Sequence, residues 1–171
     1  PGTEINAVLQ AQSKAKGIDA TVNNSSDNGA TSAGGLSRLA WSLADHPNAA
    51  IVELGSNDAL RGIDPASTAR NLSAIVAQLT AKHIPVLLLG MQAPKNFGPE
   101  YEAKFNAIYP KLARQYDVLL YPFVLDGVAL NPKLNQADGI HPNPAGVKII
   151  VSKILPDVLK LISQVQTPNA K

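Results

Sequence analysis

The sequence predicts an α/β fold with a mainly parallel sheet. Short apolar runs of strand length alternate with longer stretches whose apolar residues recur at helical spacing. No internal repeat, linker or low-complexity block interrupts this alternation in the 171 residues. Strands that alternate with crossover helices form parallel sheets with right-handed connections. We therefore expect one domain whose chemistry lies in polar loops at the carboxyl ends of the strands.

Four elements are predicted in the first half of the chain. They are a helix over residues 3–16, a strand over residues 18–23, a helix over residues 36–43 and a strand over residues 50–54. Gly17 is suited to follow the first helix, and the first strand runs into a polar loop that ends at Gly29. The stripe of the second helix stops before His46 and Pro47. The last run is apolar enough for a buried strand.

Five further elements are predicted in the second half. They are a helix that begins after Asp64, a strand over residues 86–90, a helix that begins at Pro99, a strand over residues 118–121 and a final helix from Gly146 onward. Asp64 is suited to cap its helix, and Pro65 to the first turn. Helical spacing predicts inner faces made of Leu72, Ile75, Val76 and Leu79, then Tyr101, Phe105 and Ile108, and finally Ile149, Ile150, Ile154, Val158 and Leu161.

Composition argues against several classes of partner and site. The chain has 15 basic and 13 acidic residues, a formal net charge of +2, and its basic residues are scattered, so nucleic acid is not expected as a partner. The sequence has no cysteine, which excludes disulfides, thiolate zinc sites and cysteine nucleophiles. No apolar run approaches the length that spans a membrane.

The segment Asp138-Gly139-Ile140-His141 is the strongest chemical signal. An acid three residues before a histidine can accept a hydrogen bond from the imidazole Nδ1, which leaves Nε2 free as a general base. The alternative is an exposed loop with a chance histidine. The other histidines, His46 and His83, lie at predicted helix ends, where we expect structural roles near the last carbonyl groups.

A second polar segment, Gly55-Ser56-Asn57-Asp58, directly follows a predicted strand. Glycine permits a sharp turn at the sheet edge, and Asn57 can point its amide N–H₂ group into a cleft as an oxyanion donor. The alternative is a simple turn with a local side-chain hydrogen bond. Gly29 can supply a backbone N–H to the same oxyanion, although glycine in such a loop is more often a turn residue.

Together these segments resemble the SGNH or GDSL family of serine esterases, and within it the branch of small bacterial arylesterases, lysophospholipases and acyl-thioesterases. The similarity covers nearly the whole chain and is most specific in AIVELGSNDALRG at residues 50–62, FNAIYPKL at residues 105–112 and NQADGIHPN at residues 135–143. This resemblance implies a flavodoxin-like three-layer α/β/α sandwich. It also implies a carboxylic-ester or thioester hydrolase that acts on small aryl or acyl esters or lysophospholipids.

The same resemblance implies the site residues. His141 matches the catalytic base, Asp138 its orienting acid, and Asn57 and Gly29 the donors of the oxyanion hole. Residues 91–101 match the loop that borders the acyl groove in this branch. The residues of that loop suited to an apolar chain are Met91, Pro94 and Phe97. The resemblance implies no metal and no cofactor, an ester or thioester with an acyl chain as the bound partner, and a protein in the periplasm or secreted.

The nucleophilic serine of the family is missing from the sequence. Its Gly-Asp-Ser-Leu motif occurs nowhere in the 171 residues, and Pro1-Gly2-Thr3 resembles the stretch that follows it. We therefore expect a single domain over residues 1–171 that is incomplete at its N-terminus and lacks its first, central strand. Ser26 and Ser56 are poor replacements, because one lies in the glycine loop and the other adjoins Asn57.

Two other functions stay open at this point. A complete chain without the serine would be a non-catalytic relative that binds acyl chains or acts as a structural partner. Asp58, Asp138 and His141 are also plausible hard ligands for metal-assisted phosphoester hydrolysis. The sequence has only three histidines, two of them at predicted helix ends, which argues against a two-metal site.

Overall fold

The computed structural model describes residues 5–25 and 29–166, and it confirms an α/β fold with a parallel sheet. The helices are α1 (Ile5–Ala15), α2 (Ser32–Ser42), α3 (Ser56–Leu60), α4 (Pro65–Ala81), α5 (Pro99–Asn106), α6 (Ile108–Tyr116) and α7 (Pro144–Gln166), and the strands are β1 (Ala50–Val52), β2 (Val86–Leu89) and β3 (Leu119–Tyr121). The chain divides into unit 1, residues 1–25 and 124–156, and unit 2, residues 26–123 and 157–171. The single-domain, three-layer arrangement stays a prediction.

Unit 2 contains a three-stranded sheet in the order β1-β2-β3, with parallel pairing throughout. All four residues of β2 are buried, as expected of a central parallel strand. Within the described residues β1 pairs with β2 alone, and Ile51 is exposed. The predicted buried strand over residues 50–54 is therefore shorter and less buried than expected, because among the described strands β1 has a neighbour on one side only.

The helix α4 matches its sequence prediction closely. The Asp64 side chain accepts a hydrogen bond from the Ala66 N–H at 3.1 Å, and Pro65 occupies the first turn. The predicted inner face is buried in full; it consists of Leu72, Ile75, Val76 and Leu79. α4 contacts α2, α6 and β2, so this face forms a large part of the core of unit 2.

The helix predicted to begin at Pro99 is two helices, so the prediction of one continuous helix was wrong. α5 ends at Asn106 and α6 begins at Ile108. Pro110 explains the break, because proline has no N–H to donate to the carbonyl four residues earlier, and its ring crowds that carbonyl. Phe105 and Ile108 remain buried, as predicted, although they lie in different helices.

In unit 1, α1 is present but the strand predicted over residues 18–23 is not. The Gln10 side chain donates to the Ala20 carbonyl at 2.7 Å and accepts a hydrogen bond from the Val22 N–H. Backbone groups that a neighbouring strand would pair are therefore bonded to a side chain of α1. The prediction of a strand here was wrong because strand formation requires a neighbour as well as β-branched residues.

The final helix begins at Pro144, two residues before the predicted start. Asn143 caps it, since Oδ1 accepts the Ala145 and Gly146 N–H groups, each at 3.0 Å. The predicted inner residues Ile150, Ile154, Val158 and Leu161 are buried, whereas Ile149 is only half-buried. Among the helices of the described residues, none is both long enough and apolar enough to cross a membrane.

Truncation of the α4 core should destabilise the fold strongly. Leu72 is 0% exposed and Leu130 is 93% exposed. We expect Leu72→Ala to lower the free energy of unfolding by about 2–5 kcal/mol, because it removes buried methyl groups and leaves a cavity. Leu130→Ala is the control and should change that free energy by less than about 0.5 kcal/mol. Urea unfolding measures both; equal losses would contradict the buried position of Leu72.

Candidate active site

The loop that precedes α7 in unit 1 is closed at its base. Asn135 and Pro142 form an isolated antiparallel bridge, and the Gln136 N–H donates to the His141 carbonyl at 2.7 Å. Asn135 is buried and donates from Nδ2 to the Val128 carbonyl at 2.8 Å. These contacts restrict the conformation of the short segment that carries the predicted catalytic pair.

Asp138 and His141 form a hydrogen-bonded pair on this loop. His141 Nδ1 lies 2.7 Å from Asp138 Oδ2, and Oδ1 accepts the backbone N–H groups of Ile140 at 2.9 Å and His141 at 3.0 Å. An ionised carboxylate only accepts hydrogen bonds, so Nδ1 is the donor and, in the neutral imidazole, Nε2 carries the lone pair. The imidazole is 68% exposed, and Nε2 has no hydrogen bond within the described residues. The pair can therefore act as a general base.

Hydrogen bonds also set the charge of Asp138. The bond from the His141 side chain, followed by the backbone bonds from His141 and Ile140, lowers the pKa of Asp138 to about 2. The carboxylate consequently stays ionised at any pH at which histidine is neutral. An ionised partner on Nδ1 stabilises the imidazolium that forms when Nε2 takes up a proton.

Asn57 lies in unit 2, in a short helix rather than in the simple turn that was the alternative interpretation of its segment. The chain leaves β1 and enters α3 through Gly55, whose φ is +104°. A Cβ at Gly55 would collide with the Tyr109 hydroxyl, so both backbone and space require glycine here. The Asn57 amide donates from Nδ2 to the Ala30 carbonyl at 3.1 Å. An amide has two N–H groups, and the second makes no hydrogen bond to the described residues, so it can donate to an oxyanion.

Gly29 lies close to Asn57 in unit 2. Its φ is +75°, and its carbonyl accepts a hydrogen bond from the Arg61 guanidinium at 3.2 Å. Since Asn57 bonds to the next carbonyl along, that of Ala30, the structure brings the two predicted oxyanion donors together. Ser26 lies outside the described residues.

Asp58 is a buried anchor that sequence reasoning missed. Its Oδ2 accepts the Ser32 N–H at 2.8 Å, and its Oδ1 accepts the hydroxyl groups of Ser32 and, at 3.0 Å, Thr68. These donors tie α3 to α2 and α4, which is a structural use of a residue considered above as a metal ligand. Across the part of the chain that is described, no three His, Asp or Glu side chains are grouped to hold a metal ion.

The other two histidines lie just after helices, as predicted. His46 follows α2 and His83 follows α4, both with left-handed backbone, at φ of 50° and 57°. Their N–H groups donate to the carbonyls of Leu43 at 3.1 Å and Thr80 at 2.9 Å. His83 therefore terminates α4, and His46 ends the turn that follows α2, in agreement with structural roles for both.

The chain matches a family and several of its characterised members. Residues 2–149 match the GDSL-like Lipase/Acylhydrolase family. The chain is 41% identical over 157 residues to the esterase TesA of Pseudomonas aeruginosa, which is 91% of this chain and 78% of that relative. It is 45% identical over 124 residues to thioesterase 1/protease 1/lysophospholipase L1 of Escherichia coli strain K12, or 72% of this chain and 60% of that relative. The solved structure of AlinE4, an SGNH-hydrolase family esterase, matches with a TM-score of 0.77 and 43% identity over 93% of this chain and 86% of that one.

Replacement of the buried carboxylate should destabilise unit 2. Asp58→Asn places an amide N–H₂ group against N–H and O–H donors, so we expect the free energy of unfolding to fall by about 1–3 kcal/mol. Asp64→Asn is the matched control, because Asp64 is exposed and asparagine caps helices equally well. Urea unfolding of the two variants tests this, and equal stability would show that the Asp58 contacts contribute little.

The titration of Asp138 should report its hydrogen bonds. Its pKa in the folded chain, about 2, lies below the usual value, so its ionisation stabilises the fold above about pH 4 and this contribution is lost as the pH falls toward 2. In His141→Ala the pKa should rise, because the largest cause is removed, but stay below its usual value, because the Ile140 N–H remains. Carbon-13 NMR of the carboxyl group measures both; an ordinary pKa in the unaltered protein would contradict this.

Proposed function

Since the chain belongs to the GDSL-like Lipase/Acylhydrolase family and is an ester or thioester hydrolase, we propose that it works by serine acyl transfer with His141 as the base. The 2.7 Å hydrogen bond between His141 Nδ1 and Asp138 is the observation that carries this proposal. It gives the imidazole the tautomer that proton transfer at Nε2 requires.

The reaction proceeds in two matched halves. A serine hydroxyl attacks the carbonyl carbon while His141 Nε2 takes its proton, and Asp138 stabilises the imidazolium. The tetrahedral intermediate then collapses, and the imidazolium gives the proton to the departing alcohol or thiol. Water repeats the sequence on the acyl-enzyme and releases the acid. The sequence contains no Gly-Asp-Ser-Leu motif, so the position of the serine has to be found by chemical labelling.

Asn57 and Gly29 are proposed to stabilise the oxyanion. Their proximity and the second N–H of the Asn57 amide support this role. Such a donor acts on charge that develops only in the transition state, and its loss typically lowers turnover by about 10²–10³-fold.

The proposed substrates are small aryl or acyl esters, acyl thioesters and lysophospholipids. The loop at residues 91–101 favours a substrate with an apolar acyl group. Phe97 is 40% exposed and Pro94 is half-buried, so both can contact such a group, whereas Met91 is buried. Acyl transfer by serine, histidine and aspartate needs no metal and no cofactor. Location in the periplasm or outside the cell is part of the proposal, and a cysteine-free chain is compatible with an oxidising compartment.

Hydrolysis of p-nitrophenyl esters by the natural protein tests the catalytic roles. We expect kcat to fall by at least about 10³-fold in His141→Ala and by about 10²–10³-fold in Asn57→Ala. The control is His83→Asn, which changes another histidine and keeps a residue that tolerates left-handed backbone; it should leave kcat unchanged. Full activity of His141→Ala would overturn the proposal.

A fluorophosphonate probe locates the nucleophile in the same protein. The probe should label one serine, which peptide mass spectrometry identifies, and His141→Ala should slow the labelling. Absence of both labelling and hydrolysis would favour the non-catalytic, acyl-binding alternative. Loss of activity in a chelator would favour metal-assisted chemistry.

A further inference from the structure

A ladder of four aromatic rings packs against the Asn57 segment, residues 55–62, in unit 2. The rings, spaced four residues apart, are those of Phe97, Tyr101, Phe105 and Tyr109. Successive ring centroids lie 5.1, 6.0 and 6.0 Å apart, within the range of favourable aromatic pairs. Phe105 and Tyr109 are buried, whereas Phe97 is exposed. The ladder therefore connects a solvent-exposed ring to the interior of the unit.

The two tyrosines of the ladder bond to the backbone at both ends of the Asn57 segment. The Tyr109 hydroxyl donates to the Leu54 carbonyl at 2.9 Å, immediately before the segment. The Tyr101 hydroxyl donates to the Ile63 carbonyl at 2.8 Å, immediately after it. The segment is consequently held at its two ends by side chains from one ladder.

Ladder rings also fill the space beside the glycines that bound the segment. Gly55 and Gly62 both have left-handed backbone, with φ of +104° and +63°. A Cβ at Gly55 would collide with the Tyr109 hydroxyl, and one at Gly62 would lie 2.7 Å from the Phe97 ring. Glycine has the greatest backbone freedom of any residue, so ring atoms beside these two positions restrict movement of the segment.

Both phenols remain hydrogen-bond donors at ordinary pH. Burial, and then the negative charge of Asp58, raises the pKa of the Tyr109 hydroxyl well above its usual range. Burial raises the pKa of Tyr101 as well, with smaller contributions from Asp58 and Asp64. The two hydroxyl groups therefore stay protonated near neutral pH and keep donating to the backbone carbonyls.

We propose that Tyr101 and Tyr109 are positioning residues for the Asn57 amide, and that Phe97 links them to the acyl group of the substrate. This inference rests on the proposed function, because it requires Asn57 to donate to the oxyanion. Phe97 lies in the loop at residues 91–101, which is proposed to border the acyl group. A long acyl chain in contact with Phe97 would hold the ladder, and through it the Asn57 segment, in the conformation suited to the transition state.

Removal of either hydroxyl should lower turnover without weakening substrate binding. In the natural protein we expect Tyr109→Phe and Tyr101→Phe each to lower kcat by about 5- to 10-fold, the effect of one neutral hydrogen bond, with KM unchanged. The control is Tyr116→Phe, which removes a hydroxyl bonded to Ser73 at 2.6 Å in the same unit and should leave kcat unchanged. If a hydroxyl only stabilised the fold, its removal would lower the thermal midpoint of unfolding but would not lower kcat at constant KM.

Removal of the outer ring should alter the dependence on acyl length. We expect Phe97→Ala to lower kcat about tenfold for an octanoyl ester and to leave kcat for an acetyl ester unchanged, because the shorter acyl group does not reach the ring. Phe97→Tyr is the control: it retains the ring, so its dependence of kcat on acyl length should match that of the unaltered protein. An equal loss for both esters would refute the link between Phe97 and the acyl group.

The nitrogen-15 signal of the Asn57 side-chain amide provides a readout that does not depend on activity. It should shift or broaden in Tyr109→Phe and Tyr101→Phe, but not in Tyr116→Phe.

If His141→Ala is fully active, the proposed function fails. If hydrolysis depends on His141 while Tyr109→Phe and Tyr101→Phe behave as Tyr116→Phe does, this inference alone fails. If Tyr109→Phe does not fold, Tyr101→Phe decides the test, because Tyr101 is only half-buried.

Discussion

The hydrogen bonds accepted by the buried Asp58 carboxylate are the contacts on which the arrangement of unit 2 depends. A carboxylate removed from water must be compensated by hydrogen bonds, and an uncompensated one costs several kcal/mol. Its donors come from Ser32 at the start of α2 and Thr68 in α4, so the requirement joins three helices around one group. Asn57 is the neighbour of Asp58 in α3, and it is therefore placed by the same contacts.

The candidate functional groups of both units, the half-buried Asn57 and the exposed His141, are supported by buried polar contacts. In unit 2, the Asn57 segment is held by Asp58 on its own helix and by phenols at its two ends. In unit 1, Asn135 is buried and donates to two carbonyls, which closes the loop that carries the exposed His141. Hydrolysis needs groups that reach the substrate yet keep their orientation, and buried hydrogen bonds supply that orientation without covering the groups.

The sequence predicted the fold best where the signal was local. The cap at Asp64 and the apolar stripe of α4 lie within one helix, and both are confirmed. The strand at residues 18–23 was wrong because its pairing depends on a neighbour that local composition does not reveal. The break between α5 and α6 was readable in principle, since Pro110 disfavours a continuous helix through Asn106.

The sequence by itself determined the Asp138–His141 pair, because the two residues lie three positions apart on one loop and their bond requires only that loop. Only the tertiary structure decided what holds Asn57. Asp58 bonds to Ser32, 26 residues away, and Tyr109 bonds to Leu54, 55 residues away. Spacing along a chain governs contacts within a turn or a helix, whereas contacts over such separations depend on how helices and strands pack, and no local pattern specifies that packing.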